Sequence, residues 1–159
     1  MLTEEEFTQA VKMNMDTVYR VAVNCLRDPA AAEDVCQEVF LRLYRRQPDL
    51  QDAQHCRNWL IHVCLNECRR VLASPRSAEL SLDDQSALSL FEDPVDNSTF
   101  QLVMSLPEKY RTALYLFYYE GYSTAEIAKL LHILPATVRS RLDRGRKQLK
   151  QMLLEAEHV

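Results

Sequence analysis

Apolar residues recur at intervals of three and four along the first 75 residues, which is the spacing of helices with one buried face. The pattern predicts a first helix from about Glu4 to Leu26, a second that begins at the cap and first-turn pair Asp28–Pro29, and a third from about His55 to Leu72. Their predicted core positions are Phe7, Val11, Val18, Ala22 and Cys25, then Val35, Cys36, Val39, Phe40 and Leu43, then Trp59, Leu60, Val63, Cys64 and Val71.

The segment from Gly121 to Leu149 has the pattern of a short helix, a tight turn and a longer basic helix. Ser123 and Glu126 have the spacing of a capping box, and Ile127, Leu130 and Leu131 give the short helix its apolar side. Pro135 stands where the second helix would begin, a position at which its missing N–H costs nothing. Together these features predict a helix-turn-helix.

The second helix of this motif divides into an apolar and a basic side when its residues are spaced at about 100°. Val138, Leu142, Gly145 and Leu149 fall together and are predicted to face the first helix. Six basic residues and one acidic residue occur between Pro135 and Lys150. The basic side suits the major groove of DNA, although a solvated face on an ordinary surface helix would have the same pattern. Its candidate DNA-binding residues are Thr137, Arg139, Ser140, Arg141, Asp143, Arg144, Arg146 and Lys147.

Composition favours an all-α protein, because only two glycines occur among 159 residues and Leu, Ala, Glu and Arg are abundant. No window reaches the apolar length of a membrane span, and the N-terminus lacks the order of a signal peptide. We therefore expect a cytoplasmic protein without direct membrane insertion. The net charge of −4 is uneven: residues 1–75 carry −2, residues 76–100 carry −5 and residues 101–159 carry +3. The acidic total is therefore compatible with DNA binding by the C-terminal part.

The five cysteines are interpreted most simply as buried free thiols, because Cys25, Cys36 and Cys64 share the apolar phase of their helices. Cys64 and Cys68 lie one turn apart, and His55, Cys56 and His62 are near in sequence, so a zinc or redox site is the alternative. No CxxC pair occurs, and we predict neither a metal nor a cofactor.

Three stretches in this order resemble a known family: DPAAAEDVCQEVFLRLYRR, RNWLIHVCLNECRR and SLPEKYRTALYLFYYEGYSTAEIAKLLHILPATVRSRLDRGRKQLK. The chain is similar to bacterial RNA polymerase sigma factors of the extracytoplasmic-function (ECF) group. The resemblance implies two small helical domains, with residues 1–73 binding the polymerase and melting the −10 element, and residues 96–159 reading the −35 element. Residues 74–95 would form the linker, either as an acidic mimic of nucleic acid or as a solvated tether.

The resemblance also implies partners and residue roles. The partners would be core RNA polymerase, promoter DNA and an anti-sigma factor, which is often anchored in the membrane. The polymerase-binding residues would be Asp34, Gln37, Glu38, Arg42 and Arg45, for which a plain solvated helix face is the alternative. The residues that contact the unpaired −10 strand would be Asn58, His62, Asn66, Arg69 and Arg70.

The chain departs from the family pattern at three places. His132, Ile133 and Leu134 replace the usual Gly-Ile-Ser of the turn, which predicts a turn weakened by about 1 kcal/mol through the missing cap. Asp143 stands where an aromatic or His residue is common in the family. Its carboxylate could accept a hydrogen bond from a cytosine amine, or it could reduce the attraction of the helix to phosphates. Arg70 occupies a position where an acidic residue is frequent.

Three classes of function remain open from the residues: a sigma factor, a free-standing helix-turn-helix regulator that binds a palindrome as a dimer, and a Cys/His metal or redox sensor, which could also be a regulatory addition to the first. The regulator would leave the N-terminal stretches without a purpose. An enzyme is not expected, because the sequence has neither a phosphate-binding Gly loop nor the residue pairing of a zinc hydrolase.

Overall fold

The structure is a computed structural model that describes residues 1–75 and 97–157, and for residues 97–100 it describes the backbone alone. These ranges contain seven α-helices and one π-helical turn. The helices are α1 (Glu4–Leu26), α2 (Pro29–Arg46), α3 (Ala53–Ala73), α4 (Asn97–Ser105), α5 (Glu108–Leu114), α6 (Thr124–Leu131) and α7 (Pro135–Glu157), and the π-helical turn is Tyr115–Tyr119. The predicted all-α class is confirmed.

The chain divides into two compact units, Met1–Asp83 and Asp84–Val159. The first contains α1 to α3, and the second contains α4 to α7 together with the π-helical turn. The predicted linker, residues 74–95, lies outside the described residues except for its first two positions. Its boundaries stay a prediction.

Local polar contacts determine where the N-terminal helices begin and end. Arg27 ends α1 in the left-handed conformation, with φ of 58°. The Asp28 carboxylate then accepts hydrogen bonds from the amides of Ala30 and Ala31, at 3.0 and 3.2 Å. The predicted end of α1 and the predicted cap of α2 are therefore confirmed.

Helix α3 begins two residues earlier than predicted. The Asp52 carboxylate accepts a hydrogen bond of 2.7 Å from the His55 amide, so the cap lies three residues before the predicted start of the helix. The Gln51 amide also donates to Nδ1 of His55 at 3.0 Å. These two bonds attach the end of the loop to the first turn of α3.

The core of the first unit is the seam where α1, α2 and α3 meet. Most of the predicted positions are buried there, but four are only half-buried: Phe7, Val11, Trp59 and Val71. Phe7 and Val11 line an open groove between α1 and α2. Trp59 lies at the edge of the buried arc of α3, which is centred on Cys64, and Val71 lies in the last turn of that helix. The prediction that these four residues are fully buried in the core was therefore wrong, since each is only half-buried.

Helix α7 organises the second unit by packing against α4, α5 and α6. Val138 and Leu142 are at most 2% exposed, and Leu149 is half-buried. Gly145 is buried, but its close neighbours lie in α5 and not in the first helix of the motif: a Cβ at this position would stand 2.9 Å from Leu114 Cδ1 and 3.2 Å from Tyr110 Cβ. The absence of a side chain therefore allows α7 to approach α5 closely.

The turn of the helix-turn-helix forms without the glycine that the family pattern has there. Ser123 and Glu126 make both bonds of the predicted capping box, at 3.2 and 2.9 Å. His132 ends α6 in the left-handed conformation with φ of 56°, which is uncommon for a residue with a side chain. The Leu134 carbonyl accepts from the Thr137 and Val138 amides, so α7 begins at Pro135 as predicted.

We expect Gly145→Val to destabilise the second unit by about 1–3 kcal/mol, the usual cost of adding methyl groups to a packed contact. Gln148→Val is the control, because Gln148 lies exposed on the same helix. Denaturant unfolding followed by circular dichroism measures the effect. Fluorescence of the single tryptophan, Trp59, reports the unfolding of the first unit, and the denaturant midpoint of that signal should not change. Equal effects of the two substitutions would show that the close approach of α7 to α5 is unimportant.

Candidate functional site

The residues predicted to bind the −35 element lie together on one side of α7, which we call the α7 face. It contains five exposed positions, Arg139, Asp143, Arg144, Arg146 and Lys147, and three half-buried positions, Thr137, Ser140 and Arg141. Because the opposite side of α7 is buried in the unit, packing turns this set outwards together. The result is a mostly cationic helix surface of the kind that fits the major groove.

Contacts within the α7 face adjust its charge. Lys147 Nζ lies 3.1 Å from Asp143 Oδ2, and their side chains are 76% and 59% exposed. An ion pair so open to solvent contributes little to stability. Its effect is on the surface charge, since Asp143 offsets one of the cations that would otherwise attract phosphates.

Arg146 is held by aromatic side chains that the sequence interpretation did not single out. Its Nε donates a 2.5 Å hydrogen bond to the Tyr118 hydroxyl. The guanidinium carbon lies 5.4 Å from the centre of the Tyr118 ring and 5.7 Å from that of Phe117, within the range of cation–π attraction. The π-helical turn places both rings beside α7. Arg146 is therefore oriented before any ligand arrives, and the run YLFYY was the available signal.

The α2 face comprises the five predicted polymerase-binding residues. Asp34, Gln37 and Arg45 are exposed, while Glu38 and Arg42 are half-buried. Arg42 turns towards α3: its Nε lies 3.2 Å from Glu38 Oε1, and its Nη2 is bonded to Oε1 of Glu67. Glu67 was not among the predicted residues. The side chain of Arg42 is only 22% exposed, so Asp34 and Arg45 carry the outward charge of this face.

An open groove of about 840 Å³ lies beside the α2 face, between α1 and α2. Most of its lining residues are apolar or aromatic, and Asp16, Glu33 and Gln37 supply charged and amide groups among them. Gln37 belongs to both the groove and the α2 face. Apolar area is therefore continuous with the charged positions, an arrangement typical of protein interfaces. The apolar and aromatic lining residues include Phe7, Val11, Met15, Tyr19, Phe40 and Tyr44.

The α3 strip comprises the residues predicted to contact the −10 strand. Asn58, His62 and Asn66 are half-buried, and Arg69 and Arg70 are exposed. The three half-buried residues recur every fourth position, so they follow one line along the helix. Asn66 Nδ2 lies 3.2 Å from His62 Nε2, and Asn58 Oδ1 accepts a 2.9 Å bond from Gln54. The strip thus presents amide and imidazole groups in fixed positions, followed by two cations.

Comparison with known proteins identifies both units. Residues 10–77 match sigma-70 region 2, and residues 99–149 match sigma-70, region 4. The ECF RNA polymerase sigma factor SigL of Mycobacterium tuberculosis is 32% identical over 150 residues, covering 87% of this chain and 83% of SigL. The chain belongs to the ECF family of RNA polymerase sigma factors.

Two further comparisons concern length and fold. The probable RNA polymerase sigma factor RfaY of Xanthomonas campestris is 30% identical across 96% of this sigma factor, which spans 41% of the length of RfaY. The solved sigma factor RpoE of Bartonella quintana, in complex with the anti-sigma factor NepR, has the same fold with a TM-score of 0.72. That likeness covers 94% of this chain and 97% of RpoE at 19% identity.

Membership of this family decides between the sigma factor and the free-standing regulator. The sigma factor acts in promoter-specific transcription initiation with RNA polymerase, and the family is not enzymatic. A free-standing regulator is not favoured, because such a protein would not account for the match of residues 10–77 to sigma-70 region 2. Among the described residues, no helix has the length and apolar character of a membrane span.

Four of the five thiols of the sigma factor are buried. Cys25, Cys64 and Cys68 are at most 2% exposed, and burial together with the nearby Glu33 raises the pKa of Cys36 to about 12. A hydrogen bond with Cys68 lowers the pKa of Cys64, but burial and neighbouring groups outweigh it, so that pKa is also raised. The described ranges contain no group of three or more His, Cys, Asp or Glu arranged to hold a metal ion.

We expect at most one thiol of the native sigma factor to react with a disulfide reagent at pH 8. The half-buried Cys56 is that thiol, and burial raises its pKa as well, so even this reaction should be slower than that of a free cysteine. Cys56→Ser should remove the native reaction, while all five cysteines of the wild type should react in denaturant. Rapid reaction of two or more thiols in the native state would revive a redox role.

Proposed function

We propose that this sigma factor binds core polymerase through the α2 face, contacts the unpaired −10 strand with the α3 strip and reads the −35 element with the α7 face. The observation that carries the proposal is the outward orientation of the α7 face over a packed helix-turn-helix. A basic helix supported on its opposite side can enter the major groove without rearrangement. Run-off transcription from genomic fragments with purified core polymerase, with and without the chain, tests the whole assignment.

Within the α7 face, we infer that Arg144 reads a base and that Arg139 contacts the backbone. Arg144 lies on the middle of the groove-facing side, where a guanidinium can reach the edge of a guanine. Arg139 lies at the edge of the groove-facing side of α7, where a side chain would be next to the phosphates that border the major groove. Arg146 is a poorer test of a backbone contact than Arg139, because Tyr118 and Phe117 already hold it.

We expect Arg144→Ala to relax base preference in the −35 element and Arg139→Ala to weaken binding to all sequences alike. Loss of a bidentate base contact costs about 1–3 kcal/mol of binding free energy on the correct base only. Loss of a phosphate contact instead lowers the salt slope, which is the steepness of the logarithm of the binding constant against the logarithm of the salt concentration, by about one. Salt-dependent binding of holoenzyme to native and scrambled −35 fragments measures both. If both variants lose affinity equally on every fragment, the assigned orientation of α7 is wrong.

For the polymerase, the α2 face and the adjoining groove supply the two parts of a stable interface. The groove offers apolar area that a partner can cover, and Asp34 and Arg45 offer exposed charges at its edge. Asp34 is the better position for a charge test. Reversing Glu38 would also disturb its pair with Arg42 and so alter the packing of α2 on α3.

We expect Asp34→Arg to reduce retention of the sigma factor on immobilised core polymerase at least about tenfold, as truncation or reversal of an interfacial charge commonly does. Glu155→Arg makes the same change in net charge on an exposed position of α7 and should bind normally. Promoter-specific transcription should fall in parallel for Asp34→Arg alone. Normal retention of that variant would move the polymerase contact away from the α2 face.

The remaining parts of the proposal rest on the family. We infer two functional domains at residues 1–73 and 96–159 with a linker at 74–95, a cytoplasmic location, and an anti-sigma factor as a regulatory partner. The complex of RpoE with NepR supports the last point, because that protein shares this fold. The division into two compact units supports the first.

A further inference from the structure

Glu67 is a buried carboxylate in α3 that binds two arginines. Its side chain is 8% exposed, and its Oε1 accepts from Nη2 of Arg42 in α2 and, at 3.1 Å, from Nη1 of Arg70 one turn further along α3. Arg42 also pairs with Glu38 at 3.2 Å. Four charged groups therefore form a connected series from the α2 face to the α3 strip.

The two arginines differ in what the shared carboxylate does for them. Arg42 is 22% exposed and needs a partner for its charge in a poorly hydrated place. Arg70 is 72% exposed and would be solvated without any partner. For Arg70 the contact is therefore a restraint on position and an offset of charge.

We propose that Glu67 is a positioning residue that limits the affinity of the α3 strip for single-stranded DNA of any sequence: it fixes the Arg70 guanidinium at the end of the strip and offsets its attraction to phosphates. The inference rests on the proposed contact between the α3 strip and the unpaired −10 strand. With its charge offset, Arg70 adds little affinity for an arbitrary strand. Discrimination is then left to the amide and imidazole groups of Asn58, His62 and Asn66, which can recognise base edges.

The test is the replacement Glu67→Gln, which keeps the shape of the side chain and removes its charge. Holoenzyme is titrated with labelled single strands that carry the −10 sequence of a promoter found by run-off transcription, or a scrambled version of it. Release of Arg70 should raise binding of the scrambled strand about fivefold at 0.1 M salt and steepen its salt slope by about 0.7, the value for one added phosphate contact on a single strand. The −10 strand should gain by a similar factor, because a phosphate contact carries no sequence information, so the ratio of −10 to scrambled binding should stay as in the wild type.

Arg70→Gln and the double variant separate this role from a purely structural one. In the Arg70→Gln background, Glu67→Gln should leave the salt slope and the binding ratio unchanged. Arg70→Gln alone, a surface change that does not depend on the stability of Glu67→Gln, should lower the slope for the scrambled strand by clearly less than 0.7. A full decrease of about 0.7 would show that Glu67 does not offset Arg70 and would overturn the proposal.

Two other outcomes are also decisive. If Glu67→Gln lowers the unfolding midpoint but leaves the affinity and the salt slope for both strands as in the wild type, while Arg70→Gln weakens −10 binding, Glu67 only joins α2 to α3. The proposal then fails, and the assignment of the α3 strip stands. If Glu67→Gln and the double variant bind the −10 strand equally, a released Arg70 makes no contact with the strand: the assigned role of Arg70 then fails first, and the role of Glu67 fails with it.

Discussion

The close approach of α7 to α5 is the constraint on which the second unit depends. At Gly145 there is no room for a Cβ, because the side chains of Leu114 and Tyr110 lie directly against the backbone of α7. Val138 and Leu142 complete the buried side of α7. Because a helix has one orientation in which these three positions are all covered, the same contact sets the direction in which its cations point.

The aromatic π-helical turn extends this arrangement. It follows α5 directly and brings Phe117 and Tyr118 to the flank of α7, where they hold the Arg146 guanidinium. A π-helical turn widens the helix by one residue and is uncommon outside functional regions. Here it connects the packing of α5 with the placement of a cation on the α7 face, so the structural residues of this unit and those proposed to bind DNA are not separate sets.

In the first unit the corresponding constraint is electrostatic. A carboxylate as buried as Glu67 is stable only with charged or hydrogen-bonding partners, and the unit supplies Arg42 from a neighbouring helix and Arg70 from its own. The pair with Arg42 attaches α2 to α3, while the apolar seam of three helices fixes their general packing. The surface proposed for polymerase and the surface proposed for DNA thus meet at one buried oxygen.

The sequence by itself determined the helices and most of their ends, because capping residues act within a few positions of each other: Asp28 and the pair Ser123–Glu126 could be recognised directly. It also determined which side of α7 faces outwards, since periodicity alone separates Val138 and Leu142 from the cations. Tertiary structure alone decided that Gly145 faces α5, that Tyr118 holds Arg146, and that Arg42 turns inwards to Glu67. Each of these contacts joins residues of different elements that are 25 or more positions apart, and a helical period describes only neighbours on one helix. Which charged side chains remain on the surface therefore depends on how the helices pack, and no local pattern in the chain contains that information.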